Sequence, residues 1–153
     1  MTSWPDVALQ IAETCPGVRV RQVSRVMTRI YDDALRPLAI QSSQLSLLVA
    51  VARFGEAGAT IGALAGVQAM DRTTLTRNLK PLETAGLLRV ARSPADRRAS
   101  IVVLTRAGER LLEAAHPLWV KATAHIKAAL GAARYDELRA SLGEVLARLH
   151  GDE

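Results

Sequence analysis

The residues best suited to chemistry in this chain carry hydroxyl or cationic side chains and fall on one face of a short predicted helix. Asp71 is typical of a helix N-cap, and Gly86 is typical of the residue that follows a helix. Between them the apolar residues recur at helical spacing, at Leu75, Leu79 and Leu82. The opposite face carries Arg72, Thr73, Thr74, Thr76, Arg77 and Lys80. Such groups donate hydrogen bonds to phosphate oxygens and to base edges, so this face indicates recognition of a nucleic acid.

The distribution of charge supports this interpretation over an ordinary solvated helix face, which would normally also carry acids. No acid lies between Arg72 and Leu82. The 36 residues from 71 to 106 contain eight cations and three anions, whereas the other 117 residues contain twelve of each. A basic segment on an otherwise neutral protein is typical of a module that binds a polyanion. Arg outnumbers Lys by 17 to 3, which suits bidentate contacts to phosphates and guanines, although GC-rich coding has the same effect.

A predicted β-hairpin follows the basic helix and extends the cationic surface. Two β-prone runs, 87–91 and 100–104, are separated by a turn sequence, Ser-Pro-Ala-Asp, over 93–96. Adjacent arginines at the tip, Arg97 and Arg98, suit a narrow minor groove, whose negative potential attracts guanidinium groups. Asp96 either orients Arg98 or simply forms the turn. With the short helix 61–67 before the basic helix, this order predicts a winged helix-turn-helix.

Three stretches of the chain resemble the MarR family of bacterial regulators. They are Asp71-Arg-Thr-Thr-Leu-Thr-Arg-Asn-Leu, Leu82-Glu-Thr-Ala-Gly-Leu, and Asp96-Arg-Arg-Ala-Ser-Ile-Val-Val-Leu-Thr-Arg-Ala-Gly. The resemblance runs from about Val18 to Leu149, and the Asp-x-Arg wing followed by Leu-Thr-x-x-Gly is its most specific part. It implies a homodimer held by the terminal helices, with two winged helices on a pseudo-palindromic operator. It also implies that Arg98 enters the minor groove beside Asp96, and that effectors bind between the dimerisation helices and the DNA-binding lobe.

The expected fold class is mainly α with a small β-hairpin wing, divided into three regions. Residues 1–40 form an N-terminal arm and a first helix for dimerisation, 41–105 form the winged helix-turn-helix, and 106–153 form C-terminal dimerisation helices. We expect a weakly ordered arm over 1–15, in which Val7, Ala8, Ile11 and Ala12 have the spacing of a short docking helix, and a helix from Pro16 to about Pro37. Further helices are predicted over 44–54 with Ser42 or Ser43 as cap, 61–67 capped by Thr60, 106–130 capped by Thr105, and 134–149. Pro81 predicts a kink, or an end to the basic helix near Lys80.

The last two predicted helices support dimerisation independently of the resemblance. Their apolar stripes, which include Trp119 and Tyr135, are longer than a winged helix alone would cover. Two half-sites on one face of DNA also require a two-fold axis. The alternative is that these helices fold back onto their own subunit.

One cysteine suggests a redox trigger. Cys15 precedes Pro16 at a predicted N-cap with Arg19 one turn further on, and both surroundings favour a thiolate. The peroxide-sensing branch of the family has a cysteine near this place, but alignment puts Cys15 about two residues too early. Tyr31 matches one supporting tyrosine of that branch, and Ser42 stands where the second is expected. The alternative is a half-buried cysteine that acts as a small hydrophobic residue.

Binding of a small ligand is the competing trigger. A column of Arg21, Arg25 and Arg29 on the first helix would suit an anion such as an aromatic carboxylate. Such a column instead often pairs with Asp32, Asp33 or a partner subunit, or contacts DNA phosphates. The three histidines have no metal-ligand spacing, so we expect neither a metal nor another cofactor.

The composition places the chain among globular proteins, with 49% hydrophobic and 23% charged residues and an aliphatic core implied by 3% aromatics. No apolar run is long enough for a membrane span, no signal peptide is evident, and a single cysteine fits the reducing cytoplasm. No nucleophile–base set or phosphate-binding glycine loop indicates an enzyme.

The sequence therefore predicts a cytoplasmic, homodimeric DNA-binding regulator, a repressor in the stress response. Its release would follow binding of a small anionic or phenolic effector, or oxidation of Cys15 by organic peroxide. The alternative function is a winged-helix protein-interaction module without specific DNA binding.

Overall fold

The computed structural model describes residues 3–93 and 99–150 and confirms the predicted fold class. Seven α-helices and three short strands follow one another along these residues. They are α1 (Trp4–Thr14), α2 (Pro16–Leu35), α3 (Ser42–Ala52), β1 (Ala59–Thr60), α4 (Ile61–Gln68), α5 (Arg72–Thr84), β2 (Leu88–Arg92), β3 (Ser100–Leu104), α6 (Arg106–Leu130) and α7 (Ala132–His150). Single 3₁₀ turns at Arg36–Leu38 and Gly55–Ala57 follow α2 and α3.

The sheet is antiparallel with the strand order β1-β3-β2. Hairpin pairing runs from Leu88 opposite Leu104 to Arg92 opposite Ser100. The sequence did not predict β1, which is only two residues long and pairs with β3 through Ala59 and Val102. A strand this short has no alternating pattern of its own, so its pairing depends on the position of β3.

The core is aliphatic, as the composition predicted, and lies where α3, α4, α5 and the sheet meet. Its most buried side chains are Leu35, Leu48, Val51, Leu64, Leu75, Leu82, Leu88 and Val102. Ala115 of α6 is buried in this cluster, and Leu111, Leu112 and Leu118 pack against it, so the first half of the long helix lies against the winged helix-turn-helix. Helices α1 and α7 contribute no buried residue.

Two helix starts are decided by hydrogen bonds between residues three apart. The N-terminal arm contains the short helix suggested by its apolar spacing, α1, because Ser3 and Asp6 make a capping box at its start. Helix α3 is capped by Gln41 rather than by Ser42 or Ser43, since Gln44 accepts the Gln41 N–H at 2.9 Å. Thus the reciprocal bonding of residues three apart outweighs the ordinary preference for serine at a cap.

Helix α5 does not end near Lys80 but continues through Pro81 to Thr84. The hydrogen bond that Pro81 cannot donate would have gone to the carbonyl of Arg77, an exposed residue whose carbonyl can bind water instead. Burial of Leu82 holds the final turn in place. The helix closes with two backbone bonds at Gly86, whose φ is +70°: Gly86 N–H donates to Glu83 and Leu87 N–H donates to Leu82.

Among the described residues, no single helix has both the length and the apolar character to cross a membrane. Only the two segments Pro16–Leu38 and Ser42–Ala52, taken together, reach that length and apolar character, and they are bent by 80° relative to each other.

The junction between the wing and α6 is a tight contact built on Thr105 and Gly108. The Thr105 hydroxyl donates to the carbonyl of Gly86 at 2.6 Å and accepts the N–H of Gly108 at 3.2 Å. The Thr105 N–H donates to the carbonyl of Leu87. A Cβ on Gly108 would overlap that Leu87 carbonyl, which explains why this position holds glycine. The junction therefore ties the end of α5 directly to the start of α6.

Replacing Gly108 with alanine tests this contact. We expect Gly108→Ala to destabilise the fold by about 2 kcal/mol or more, because the new methyl group meets backbone rather than a movable side chain. Gly143→Ala is the matched control, since a Cβ at this site in α7 meets nothing within 4 Å. Urea unfolding followed by circular dichroism measures both. Equal midpoints for Gly108→Ala and the wild type would contradict the proposed contact.

Candidate nucleic-acid interface

Helices α4 and α5 form the helix-turn-helix, and each begins at a side-chain cap. Thr60 accepts the N–H of Ala63 at 3.1 Å, and Asp71 accepts the N–H of Thr74 at 2.8 Å. Hydrogen bonds from the hydroxyl and then the backbone N–H of Thr74 lower the pKa of the Asp71 carboxyl below its usual value. The carboxylate therefore stays ionised at neutral pH and can cap α5. Between the helices, Ala69 takes a left-handed conformation with φ 49°, which turns the chain sharply.

The structure brings the six polar residues predicted on α5 to one side of the helix, but with different surroundings. Arg72, Thr73, Thr76, Arg77 and Lys80 are exposed, whereas Thr74 is half-buried beside Asp71. The Thr76 hydroxyl donates to the carbonyl of Arg72 at 2.7 Å, which leaves its oxygen lone pairs free to accept. The apolar side of the helix is buried through Leu75, Leu79 and Leu82, as predicted. The orientation of α5 therefore presents its cationic face to solvent.

An ion pair on this face escaped the sequence analysis. Lys80 Nζ lies 2.9 Å from Glu83 Oε2, and the glutamate is one turn further along α5. The signal was present, because residues three apart on a helix are neighbours, but Glu83 lies just beyond the acid-free stretch from Arg72 to Leu82. Part of the positive charge of Lys80 is thus offset within the protein.

A second contact that the sequence analysis missed joins the two helices. The Arg72 side chain extends from α5 to the first turn of α4, where it lies against Gly62. The position that a Cβ on Gly62 would occupy is 3.1 Å from Nη2 and 3.5 Å from Cζ of Arg72. Ten residues separate the two in sequence, so no local pattern could have shown this approach.

The wing is built as predicted up to its tip. β2 ends at Arg92, which is exposed, and the Ser93 N–H donates to the carbonyl of Ala99 at 2.9 Å to close the hairpin base. The predicted tip residues Asp96, Arg97 and Arg98 lie outside the described residues. Their roles therefore stand as predictions.

An apolar pocket of about 580 Å³ lies beside the winged helix-turn-helix, between α2, α3 and α6. Its lining consists of Tyr31, Ser42, Leu45, Ser46, Val49, Leu112, Ala115, His116 and Trp119. The rings of His116 and Trp119 stack with centroids 6.1 Å apart. The Tyr31 hydroxyl lies 3.2 Å from the hydroxyl of Thr123. No acid, lysine or arginine lines this pocket.

The arginine column suggested for an anionic ligand lies elsewhere. Arg21, Arg25 and Arg29 are exposed on α2, and none belongs to the apolar pocket. The acids considered as their partners are engaged locally: Asp32 accepts the N–H of Ser42 at 2.6 Å, and Asp33 pairs with Arg36.

Cys15 occupies the predicted N-cap of the long helix α2 and is half-buried. Its side chain makes no capping hydrogen bond. Tyr31 lies sixteen residues along the same helix, about 24 Å away at 1.5 Å per residue. Within one chain, Tyr31 therefore cannot support a thiolate at Cys15.

No group of three or more His, Cys, Asp or Glu within residues 3–93 and 99–150 is arranged to hold a metal ion.

Comparison with known proteins agrees with this geometry. The family model described as MarR family matches residues 40–99, which span α3 to the wing. The transcriptional regulator MosR of M. tuberculosis, solved in complex with DNA, is 30% identical with a TM-score of 0.78, and the match covers 91% of this chain and 98% of that one. A mutant MarR from E. coli complexed with operator DNA is 28% identical with a TM-score of 0.79, covering 89% and 97%.

A more distant structure shares the fold alone. CouR from Rhodococcus jostii, bound to p-coumaroyl-CoA, is 21% identical with a TM-score of 0.75, covering 90% of this chain and 95% of that one. A search among curated proteins finds no match.

The fold and its cationic helix define a winged helix-turn-helix DNA-binding transcription regulator. More particularly, the chain belongs to the MarR family, whose members are transcription regulators rather than enzymes.

The ion pair on α5 leads to a testable prediction. Glu83→Gln frees the charge of Lys80 for a DNA phosphate, so we expect two- to fivefold tighter binding to non-specific DNA, as for an exposed ion pair. The slope of log K against log[salt] should steepen by about 0.9. Fluorescence anisotropy over a salt series measures both quantities. Glu144→Gln, which breaks an ion pair with Arg148 on α7, controls for net charge. An equal change in both variants would show that the position of Glu83 does not matter.

Proposed function

We propose that this chain is a homodimeric repressor that binds a pseudo-palindromic operator and is released by a small neutral ligand. The observation that carries the DNA-binding part is the exposed cationic face of α5 on a capped helix-turn-helix. In this proposal α5 enters the major groove, with Arg72, Thr73, Thr76 and Arg77 within reach of bases or phosphates. Lys80 contributes a phosphate contact that Glu83 weakens. Thr74 acts mainly through Asp71, by holding the start of α5.

The wing completes the proposed interface. Arg97 and Arg98 insert into the adjacent minor groove, and Asp96 orients Arg98. Support comes from the hairpin base at Arg92 and Ser93, which belongs to the same module as α5. The solved complexes of MosR and MarR with DNA are consistent with this use of the fold.

Dimerisation through the terminal helices follows from their exposed apolar side chains. Trp4 is 81% exposed and Leu149 is 77% exposed, and both lie in helices without buried residues. Leu142, Val145 and Leu146 of α7 are also exposed, so folding back onto the same subunit does not cover this helix. An apolar surface of this extent is typical of a protein–protein interface. We therefore assign residues 1–40 and 106–153 to a dimerisation region and 41–105 to DNA binding.

The apolar pocket is the proposed effector site. Its lining is mostly apolar and holds no acid, lysine or arginine, which favours a neutral aromatic compound, such as a phenol or a phenolic ester, over the anion considered for the arginine column. Because it contacts both α3 of the DNA-binding module and α6, a bound ligand would change how the two regions pack. CouR, which has the same fold, was solved bound to p-coumaroyl-CoA, a ligand that joins a phenolic group to the anionic coenzyme A.

Binding to DNA from beside the gene tests the leading proposal. We expect Arg98→Ala to weaken operator binding at least tenfold because it loses its minor-groove contact. Arg77→Ala should lose about 1–3 kcal/mol and relax base preference if it reads a base. Arg139→Ala removes the same charge from α7 and should bind as the wild type does. Anisotropy with operator and scrambled DNA measures affinity and specificity.

The outcomes separate the alternatives. Absence of any sequence preference at moderate salt would favour a protein-interaction module instead. Unchanged affinity in Arg98→Ala would refute the role given to the wing. A uniform loss across all DNA sequences in Arg77→Ala would make this residue a phosphate contact.

Ligand binding to the pocket is measurable through its tryptophan. The chain has two tryptophans, so a Trp4→Phe variant leaves Trp119 as the only one. We expect methyl 4-hydroxybenzoate to quench Trp119 and to release operator DNA, whereas the 4-hydroxybenzoate anion should do so only at much higher concentration. His116→Ala should weaken binding of the ester by removing the stacked ring. Tighter binding of the anion would point to the arginine column instead.

The redox trigger is tested in the same assay by adding organic hydroperoxide to the reduced protein. Loss of DNA binding in the wild type but not in Cys15→Ser would establish oxidation as the trigger. Binding that is indifferent to oxidant would make Cys15 structural and leave the pocket as the effector site.

A further inference from the structure

The contact between Gly62 and Arg72 carries an inference about how the interface is organised. Gly62 is the second residue of α4, a position where alanine is normally the better helix former. Its backbone does not require glycine, because its φ is not among the positive values, which belong to Gly55, Gly58, Gly86 and Gly131. A Cβ at this site would instead approach a neighbouring side chain. The three atoms nearest to a Cβ at this site all belong to Arg72: Nη2 at 3.1 Å, Cζ at 3.5 Å and Nε at 3.7 Å.

The position of Arg72 is not explained by helix stability. It lies in the first turn of α5, where the helix dipole disfavours a positive charge. None of the four ion pairs found within residues 3–93 and 99–150 includes it. Yet one side of its guanidinium, from Nε through Cζ to Nη2, runs along Gly62, while its own carbonyl accepts the hydroxyl of Thr76. The guanidinium of Arg72 is thus located beside the first turn of α4 by its approach to Gly62.

We propose that Gly62 is a positioning residue for DNA binding. Because Gly62 has no side chain, the Arg72 guanidinium can lie against it and is already in position before DNA binds. A guanidinium held in this way loses less rotational freedom when it binds a phosphate or base. A methyl group at position 62 displaces the guanidinium by several tenths of an ångström and fills the space in which it lies. Since the far end of an arginine can move at little cost, the fold itself is unaffected. The inference rests on the proposed DNA-binding role of Arg72.

A matched pair of substitutions within α4 tests the inference. Gly62→Ala should weaken operator binding about three- to tenfold, the usual effect of leaving one long side chain to be ordered on binding. Gly66→Ala is the control, because it makes the same change four residues along the same helix, where a Cβ meets nothing within 4 Å. It should bind DNA as the wild type does. Neither variant should have a lower melting temperature than the wild type, since alanine favours the helix.

Two further measurements separate positioning from a general structural effect. In an Arg72→Ala background, Gly62→Ala should cause no additional loss of DNA affinity. In the free protein, the heteronuclear NOE of the Arg72 Nε–Hε group, identified by its absence in Arg72→Ala, should fall in Gly62→Ala and stay unchanged in Gly66→Ala. The first measurement links Gly62 to Arg72, and the second needs no DNA.

The contrary outcomes are distinct. Wild-type affinity in Gly62→Ala, or an equal loss with and without Arg72, would overturn the positioning role. If Arg72→Ala binds normally while Arg77→Ala does not, the proposed function stands and this inference fails. If the wild type shows no specific DNA binding at all, both fail.

Discussion

The contact of Gly108 with the carbonyl of Leu87 is the constraint on which the arrangement of this protein depends. Together with the two hydrogen bonds of the Thr105 hydroxyl, it joins the end of the DNA-binding helix α5 to the start of α6. Because no side chain separates the two backbones there, the junction has little freedom to bend. The direction in which α6 leaves the winged helix-turn-helix is set at this point. In the proposed dimer this direction determines how far apart the two copies of α5 lie on DNA.

The cationic surface is less uniform than its charge suggests. Its members have different neighbours: Lys80 pairs with Glu83, Thr74 bonds to Asp71, and Arg72 lies against Gly62. Such contacts decide which charges are free for phosphates and which are partly satisfied within the protein. Affinity for DNA therefore depends on these neighbours as well as on the number of arginines.

The apolar pocket lies where a ligand would have most influence on the proposed switch. It is bounded by α3, which packs in the core of the DNA-binding module, and by α6, which begins at the rigid junction. A rigid junction transmits a shift of α6 instead of absorbing it. In the proposed dimer, small changes in the pocket would then alter the spacing of the two copies of α5, which a repressor released by a ligand requires.

Local signals in the chain were sufficient for much of this description. Apolar spacing located α4, α5, α6 and α7 to within a few residues, and caps at Thr60, Asp71 and Thr105 were recognised because the residue and its helix are adjacent in sequence. The Leu-Thr-x-x-Gly stretch indicated the family, and the fold class followed from the order of elements. The identity of the side chains on the wet face of α5 was also evident, since the buried leucines define the opposite face.

Other features were decided only when distant parts of the chain came together. The short strand β1 exists because β3 lies beside it, and the reason for Gly108 became apparent only from its contact with Leu87, 21 positions away. The apolar lining of the pocket, on which the proposal of a neutral ligand rests, forms where α2, α3 and α6 meet. Such contacts join residues that share no local period. Hydrogen bonds within one turn can be deduced from the residue order, whereas the space between helices is set by packing.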